Sequence, residues 1–281
     1  MDMLAHDLRL ALDPVAFARE LMPVVVGGVP DPWQVKVLGT RSKRILLNCS
    51  RQSGKSTITA VLGLHTALYR PQSLVLLVSP SLRQSKELLV KTNRFFQALP
   101  EKPKPDEENK LALTLSNGSR ILSLPSSPDT IRGFSAVDLL VEDEAAYCSD
   151  DLYHSIRPML ATSNGRLVLM STPHGQVGHF FEEWRNGGPE WEKVRITAHD
   201  CPRIPQEFLD GEYHSKGERW FNQEYMGMFS DREDSVFTLD MIENVVDRRV
   251  KPLFYKNQSH SNNSSIDSDV KAFSPSAWRD T

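Results

Sequence analysis

The stretch that decides the fold reads Arg44-Ile45-Leu46-Leu47-Asn48-Cys49-Ser50-Arg51-Gln52-Ser53-Gly54-Lys55-Ser56-Thr57. It begins as an apolar run, turns through small polar residues, and ends in Gly-Lys-Ser-Thr just before a helical pattern over residues 58–69. A strand, a loop and a helix that starts at Gly-Lys-Ser form a phosphate-binding loop. The main-chain N–H groups of such a loop and of the helix N-terminus point at an anion. The sequence therefore predicts that residues 50–57 bind phosphate groups.

Individual residues of this loop suit different parts of a nucleotide. Gly54 allows the backbone to approach the phosphates closely, because it has no side chain. Lys55 can reach the β- and γ-phosphates, and the Ser56 hydroxyl can ligate Mg²⁺. The full pattern has glycine at position 49, where this chain has Cys49. The loop alone therefore leaves open an ordinary strand–turn–helix with a surface lysine.

Composition narrows the class of protein. The 281 residues are 40% apolar and 25% charged, as in soluble globular proteins. We expect no membrane-spanning helix and no secretion signal, because no apolar run is long enough for either. Three widely spaced cysteines indicate a reducing compartment, and neither a disulfide framework nor a zinc site. The net charge of −3 means that any contact with nucleic acid must come from a local basic patch.

Apolar runs that are typical of strands alternate with helical patterns along the chain. Residues 74–78, 136–144 and 165–173 are predicted to be buried strands, and residues 81–99 and 151–160 to be helices. Such alternation favours an α/β fold with a largely parallel sheet flanked by helices. Asn117-Gly118 predicts a hairpin, residues 101–110 a charged loop, and residues 194–197 an outer strand.

The N-terminal part contains two helix starts. Asp13-Pro14 predicts a helix over residues 15–21, and Pro32 begins a second one that carries Gln34. A glutamine amide can both donate to and accept from an adenine edge. Its helical position, taken alone, favours a solvated surface residue.

The strand that precedes residue 145 ends in Asp143-Glu144. An aspartate at a strand end beside a phosphate loop can hold Mg²⁺ together with Ser56. A glutamate directly after it can polarise the attacking water as a general base. A strand that simply ends in solvated acids is the alternative, and the phosphate loop argues against it.

Three further features are candidates for a role in hydrolysis. Arg51 lies inside the loop and Arg132 follows the hairpin, so either guanidinium could stabilise a γ-phosphate, or simply be solvated. Ser171-Thr172-Pro173 ends a neighbouring strand, where its hydroxyls could sense the γ-phosphate or merely cap the strand. His174 and His179 are interpreted as loop histidines without ligand partners.

Five motifs, taken in order, resemble the ATPase domain of the large terminase subunit of tailed bacteriophages. They are Trp33-Gln34, Arg51 to Ser56, Ile131-Arg132-Gly133-Phe134, Asp143-Glu144 and Ser171-Thr172-Pro173-His174-Gly175. The resemblance spans about residues 15 to 230. It implies a P-loop NTPase of the additional-strand, RecA-like type, and a loop that tolerates loss of its first glycine.

The resemblance also implies roles for single residues. Gln34 would contact adenine, Lys55 and Ser56 would bind phosphate and Mg²⁺, and Asp143 would be the metal carboxylate. Glu144 would be the catalytic base, Arg132 a finger that acts on a neighbouring subunit, and Ser171-Thr172-Pro173 the motif that couples hydrolysis to movement.

At the level of the whole protein, the resemblance implies a motor that packages viral DNA in the cytoplasm of a bacterial host. Its expected cofactors are ATP and Mg²⁺. Its expected partners are double-stranded DNA, a small terminase subunit, the portal of a procapsid, and further copies of the chain in a ring. There are two alternatives. The chain could be another DNA-dependent P-loop ATPase of helicase type, or a truncated prophage remnant that binds nucleotide without packaging.

The expected domain limits follow the same motifs. Residues 1–40 would be N-terminal helices with the adenine-contacting glutamine, and residues 41–230 the ATPase core. Residues 231–255 would be a linker, and residues 256–281 a disordered polar tail because they are rich in Ser and Asn. Large terminases usually carry a nuclease domain as well. We expect none here and no DNA cleavage by this chain alone, since the remaining segment is too short to bury such a core.

Overall fold

A computed structural model of the chain describes residues 2–109 and 111–230, together with 241, 244 and 245. The chain divides into two units, Met1–Val236 and Phe237–Thr281, and the fold described here is that of the first. The linker and the polar tail predicted for residues 231–281 lie outside the described residues, those three positions apart.

Helices and strands alternate along most of the first unit. The strands are β1 (Arg44–Cys49), β2 (Leu74–Ser79), β3 (Pro105–Glu108), β4 (Ala112–Leu115), β5 (Arg120–Pro125), β6 (Leu139–Asp143), β7 (Arg166–Ser171) and β8 (Trp191–Ile196). The helices are α1 (Asp2–Leu12), α2 (Pro14–Val26), α3 (Pro32–Gly39), α4 (Lys55–Tyr69), α5 (Leu82–Gln97), α6 (Pro128–Ile131), α7 (Asp150–Ile156), α8 (Gly178–Asn186), α9 (Gln206–Lys216) and α10 (Glu218–Glu224). Among the described helices, none has the length and apolar character needed to cross a membrane.

The strands form an eight-stranded sheet in the order β3-β4-β5-β2-β6-β7-β1-β8. Neighbours from β5 to β8 run parallel, whereas β4 is antiparallel to both β3 and β5. Strand β7 lies between β1, which leads into the phosphate loop, and β6, which ends in the acidic pair. This inserted strand is the mark of the additional-strand class of P-loop NTPase, so the predicted fold class is confirmed.

Parallel pairing brings the functional segments to one edge of the sheet. Asn48 of β1 is in register with Ser171 of β7, and Met170 of β7 is in register with Asp143 of β6. In open α/β sheets the crevice at the carboxyl ends of the strands is where ligands bind. The phosphate loop, the acidic pair and the Ser-Thr-Pro motif therefore meet there, although about 120 residues of sequence separate the first from the last.

Both faces of the sheet are covered, because successive side chains of a strand point to opposite faces. In β1, Ile45 and Leu47 belong to the apolar core shared with α4 and α5, whereas Leu46 belongs to the core shared with α7 and α8. All three are buried. This explains why the central strands read as continuous apolar runs and not as alternating ones.

Several predicted local features are confirmed. The Asp13 carboxylate accepts a hydrogen bond from Val15 N at 2.9 Å and caps α2. The helix predicted over residues 81–99 is α5, Leu82–Gln97, and Ser81 caps it by accepting a hydrogen bond from Gln84 N at 3.3 Å. The hairpin turns at Asn117-Gly118 as predicted, with Gly118 at φ +81°, a left-handed conformation that favours glycine. Strand β8 lies at the sheet edge, as predicted, but starts earlier, at Trp191.

Two expectations were wrong. The predicted loop 101–110 contains the edge strand β3, which pairs with β4 alone. Its proline and acidic residues have low strand propensity, but an edge strand needs only one partner and tolerates both. His179 does not lie in a loop, because α8 begins at Gly178 and the histidine is buried. No polar cap residue precedes that helix, so the sequence carries no signal for its start.

Candidate active site

The phosphate loop is fastened to two later segments by its main chain. Ser50 N donates to Ile196 O at 2.7 Å, and Arg51 N donates to Glu224 O at 2.8 Å. Cys49 is the last residue of β1 and fully buried, so the chain turns only after it. Position 49 therefore serves as a strand residue, which explains why the first glycine of the usual pattern is dispensable here.

Gly54 is required where the loop meets the N-terminal helices. Its φ of +94° is left-handed, and a Cβ at this position would lie 2.9 Å from Gln34 Nε2 and 3.1 Å from Arg203 Nη2. A side chain would thus be strained and would push both groups aside. The arrangement places the amide of Gln34 and the guanidinium of Arg203 directly against the loop.

A cavity of about 770 Å³ is lined by residues 51–57 together with side chains from distant parts of the sequence. The distant lining residues include Gln34, Glu144, Tyr147, Thr172 and Arg203. This volume is within the range of small-molecule and cofactor sites. Ser50, which was predicted to contact the nucleotide, is fully buried and does not line the cavity.

Lys55 and Glu144 bind each other inside this cavity. Lys55 Nζ donates to Glu144 Oε1 at 2.6 Å, and Ser171 Oγ donates to Glu144 Oε2 at 3.2 Å. Burial lowers the pKa of Lys55, but Glu144 and Asp143 raise it by more, so the lysine stays charged. Glu144 has φ +55°, a strained conformation for a residue with a side chain. Backbone strain of this kind tends to occur at functional sites, and here it accompanies the contact with Lys55.

Gln34 is buried and not solvated, with 1% of its surface exposed. Its Oε1 accepts a hydrogen bond from Asp31 N at 2.9 Å, which fixes the side chain across the start of α3. Arg203 Nη1 is 2.8 Å from Asp31 Oδ2, and its Nη2 donates to Ser53 O at 2.9 Å. Arg203 thus ties α3 to the phosphate loop, and Gln34 Nε2 remains available to an acceptor in the cavity.

Asp143 lines a second cavity of about 570 Å³, which shares Ser56, Gln84, Lys91 and Glu144 with the first. Burial raises the pKa of Asp143 to about 6, while Lys55 opposes the shift. Ser56 and Asp143 offer hydroxyl and carboxylate oxygens, the ligands that Mg²⁺ prefers. A divalent cation would also compensate the buried charge of Asp143. The residues present therefore fit a magnesium ion.

The two candidate arginines are placed differently. Arg51 lines the first cavity, and its Nε is paired with the buried carboxylate of Glu224. Arg132 is exposed over 66% of its side chain and is 3.9 Å from Asp129. Among the described residues that line the two cavities, Arg132 does not appear. It is therefore accessible to another molecule.

Residues 46–244, more than half of the chain, match the protein family described as "Terminase large subunit, T4likevirus-type, N-terminal". The chain belongs to this family. The large terminase subunit of Thermus phage G20c is 24% identical to it, in a match that covers 78% of this chain and 52% of the relative. The chain therefore spans about half the length of the curated relatives it matches.

Solved structures of large terminases share the fold. The ATPase domain of the Thermus phage P74-26 large terminase has a TM-score of 0.63 at 22% identity, with 74% of this chain and 97% of that chain covered. The large terminase of another thermophilic bacteriophage, in complex with ATP-gamma-S, has a TM-score of 0.59 at 11% identity. That match covers 71% of this chain and 52% of the other. At these identities the likeness establishes the fold of this chain alone.

Three residues that the sequence interpretation missed line the candidate site. Arg203 and Tyr147 line the first cavity, and Lys91 lines both. Tyr147 follows Glu144 by three residues in the chain, whereas Arg203 and Lys91 lie outside any recognisable motif and reach the site only through the tertiary fold. The Ser-Thr-Pro motif is divided: Ser171 binds Glu144, Thr172 lines the first cavity, and Pro173 is buried without lining either cavity.

Proposed function

We propose that this terminase chain binds ATP with Mg²⁺ in the 770 Å³ cavity and hydrolyses it. The observation that carries the proposal is the 2.6 Å contact between Lys55 and Glu144 at the mouth of the phosphate loop. It joins the residue type that binds phosphates to the residue type that activates water, and so brings both requirements of phosphoryl transfer together.

The bound nucleotide would be held at several points. Gln34 Nε2 faces the loop and would donate to the adenine edge, while residues 51–57 would surround the phosphates. Ser56 and Asp143 would hold Mg²⁺, which neutralises the charge that develops on the phosphate oxygens. The γ-phosphate would compete with Glu144 for Lys55, because both are anions. Glu144 would then be free to accept a proton from water.

The proposal extends to the role of the whole assembly. Family membership supports a motor that moves double-stranded DNA into a procapsid, with a small terminase subunit and a portal as partners. The exposure of Arg132 supports a ring in which this residue reaches the γ-phosphate of a neighbouring subunit. Such a protein acts in the cytoplasm of a bacterial host. The Ser171–Glu144 hydrogen bond supports a coupling role for residues 171–173.

Titration calorimetry of the purified chain with Mg²⁺ and ATP-gamma-S tests the nucleotide site. Lys55→Ala should abolish measurable binding, because the lysine is the buried cation of the loop. Lys216→Ala is the matched control, since Lys216 is exposed at the end of α9, and should bind as the wild type does. Equal affinity of Lys55→Ala and the control would refute the assignment of the site.

A further inference from the structure

Two histidines connect the acidic segment, defined as residues 142–150, to the coupling segment, defined as residues 172–179. The first is His179, whose side chain is 3% exposed. Its Nε2 is 3.3 Å from Glu142 Oε1, and its Nδ1 is 3.3 Å from Asp150 Oδ1. His179 N also donates to Asp150 Oδ1 at 2.7 Å. The start of α8 is thus fastened to both ends of the acidic segment.

Glu142 depends on this contact. Its side chain is fully buried, and it directly precedes Asp143, the last residue of β6, which Glu144 follows. A buried carboxylate is costly unless a counter-charge compensates it. Burial lowers the pKa of His179, but the contacts with Glu142 and Asp150 raise it by more, which favours the charged form of the ring beside Glu142. The ring also stacks on Tyr153 at 4.6 Å, and the Tyr153 hydroxyl donates to Glu183 of α8 at 2.6 Å.

The second contact is made by His174 on the surface. Its ring stacks on Tyr147, with ring centroids 4.2 Å apart and an angle of 25° between the planes. Tyr147 lies three residues after Glu144 and lines the nucleotide cavity, as does Thr172. The coupling segment is therefore held at two points by the segment that carries the proposed base.

The coupling segment and α8 are in turn connected to the segment that follows α10. Gln176 Nε2 donates to Phe229 O at 3.4 Å. The Phe229 ring packs against Phe181 of α8, with centroids 5.1 Å apart. A displacement of the coupling segment would consequently reach Phe229.

We propose that His174 and His179 are positioning residues that transmit the nucleotide state of the site to the coupling segment. This rests on the proposed function, because the trigger is the release of Glu144 from Lys55 by a γ-phosphate. The two histidines make residues 142–150 and 172–179 respond together. Neither ring contacts the reacting atoms.

Hydrogen exchange of the full chain tests the coupling, with Mg²⁺ and ATP-gamma-S as the probe. In the wild type, amide exchange in residues 172–179 should change on binding by about tenfold or more, as expected when a local opening free energy shifts by about 1.4 kcal/mol. His174→Ala and His179→Gln should bind ATP-gamma-S within about threefold of wild type and lose this response. The turnover number should fall while KM stays within the same range.

Controls separate positioning from general damage. His199→Ala is the matched control, because His199 is exposed and distant from both segments in sequence; it should keep the response. His174→Phe should restore the response, since a phenyl ring can stack on Tyr147 as the imidazole does. If His179→Gln does not fold because Glu142 loses its counter-charge, the surface variant His174→Ala decides.

Three results distinguish the possible failures. An exchange response that persists in His174→Ala would overturn the coupling, as would a wild-type chain that binds ATP-gamma-S without any response in residues 172–179. Absence of ATP-gamma-S binding by the wild type would overturn the proposed function itself, and the coupling with it.

Discussion

Replacement of Glu144 by glutamine should change nucleotide binding and nucleotide hydrolysis in opposite directions. In the structure Glu144 Oε1 accepts from Lys55 Nζ at 2.6 Å, and the two side chains are only 23% and 13% exposed. ATP must displace this contact before its phosphates can use the lysine. Glutamine keeps the size and the acceptor oxygen but loses the charge, so Lys55 becomes easier to displace.

The size of the effect on binding follows from the contact that is weakened. A hydrogen bond to a charged group contributes about 1.5–3 kcal/mol. The contact of Lys55 with the Glu144 carboxylate, in which both partners are charged, belongs at the upper end of this range, and a contact of Lys55 with an amide belongs at the lower end. The difference of about 1–1.5 kcal/mol corresponds to roughly five- to tenfold tighter binding, at 1.4 kcal/mol per factor of ten. Titration calorimetry of Glu144→Gln with Mg²⁺ and ATP-gamma-S would measure it.

The effect on hydrolysis follows from the loss of the base. General base catalysis contributes about 10²–10⁴ in rate, which is roughly 3–5 kcal/mol of activation free energy. A phosphate-release assay should show a loss of this size for Glu144→Gln. Glu207→Gln is the matched control, since Glu207 is exposed on α9, and should leave both quantities unchanged. Turnover of Glu144→Gln within about threefold of wild type, or weaker binding than wild type, would refute the assignment of Glu144.

Three further predictions concern Asp143, Arg132 and Arg203. Burial raises the pKa of Asp143 from its ordinary 3.8 to about 6. The charge of Asp143 therefore destabilises the ligand-free fold, and this destabilisation grows as pH rises from about 4 to about 6 and reaches its full size above about pH 6. Asp143→Asn should therefore raise the free energy of urea unfolding at pH 7 by up to about 3 kcal/mol, at 1.36 per pKa unit, and weaken the dependence of nucleotide affinity on Mg²⁺; equal or lower stability would contradict this. If Arg132 acts on a neighbouring subunit, a mixture of the inactive Arg132→Ala and Lys55→Ala chains should regain part of the ATPase rate, whereas no recovery at any ratio would exclude that role. Arg203→Ala should weaken ATP-gamma-S binding by about tenfold, because Ser53 O and Asp31 lose their charged hydrogen-bond partner. Unchanged affinity in calorimetry would show that binding does not need the contact between α3 and the loop.

The sequence predicted the central sheet because burial on both faces leaves a clear mark. Strands such as β6 and β7 are continuous apolar runs that end in polar residues, and their carboxyl ends had to meet at one edge. The phosphate loop was recognisable for a related reason: residues 50–57 form a continuous motif in the chain. These are local signals, and they sufficed to place Lys55, Glu144 and Thr172 together.

The remaining parts of the site depend on contacts between distant segments. Arg203 reaches Ser53 across 150 residues of sequence, and His179 of α8 reaches Glu142 of β6. Nothing in the neighbouring residues distinguishes either side chain from a solvated one. The contact between Lys55 and Glu144 was equally invisible, because a motif identifies which residues meet a ligand and not what they bind in its absence.

We propose that this chain is an ATPase whose activity serves DNA movement. The steady-state rate of ATP hydrolysis by the full chain, with Mg²⁺, should be measured in the presence and absence of double-stranded DNA. We expect hydrolysis that double-stranded DNA accelerates and that Lys55→Ala and Glu144→Gln both abolish under either condition. A rate that DNA leaves unchanged, or one that survives in the Lys55→Ala chain, would contradict it.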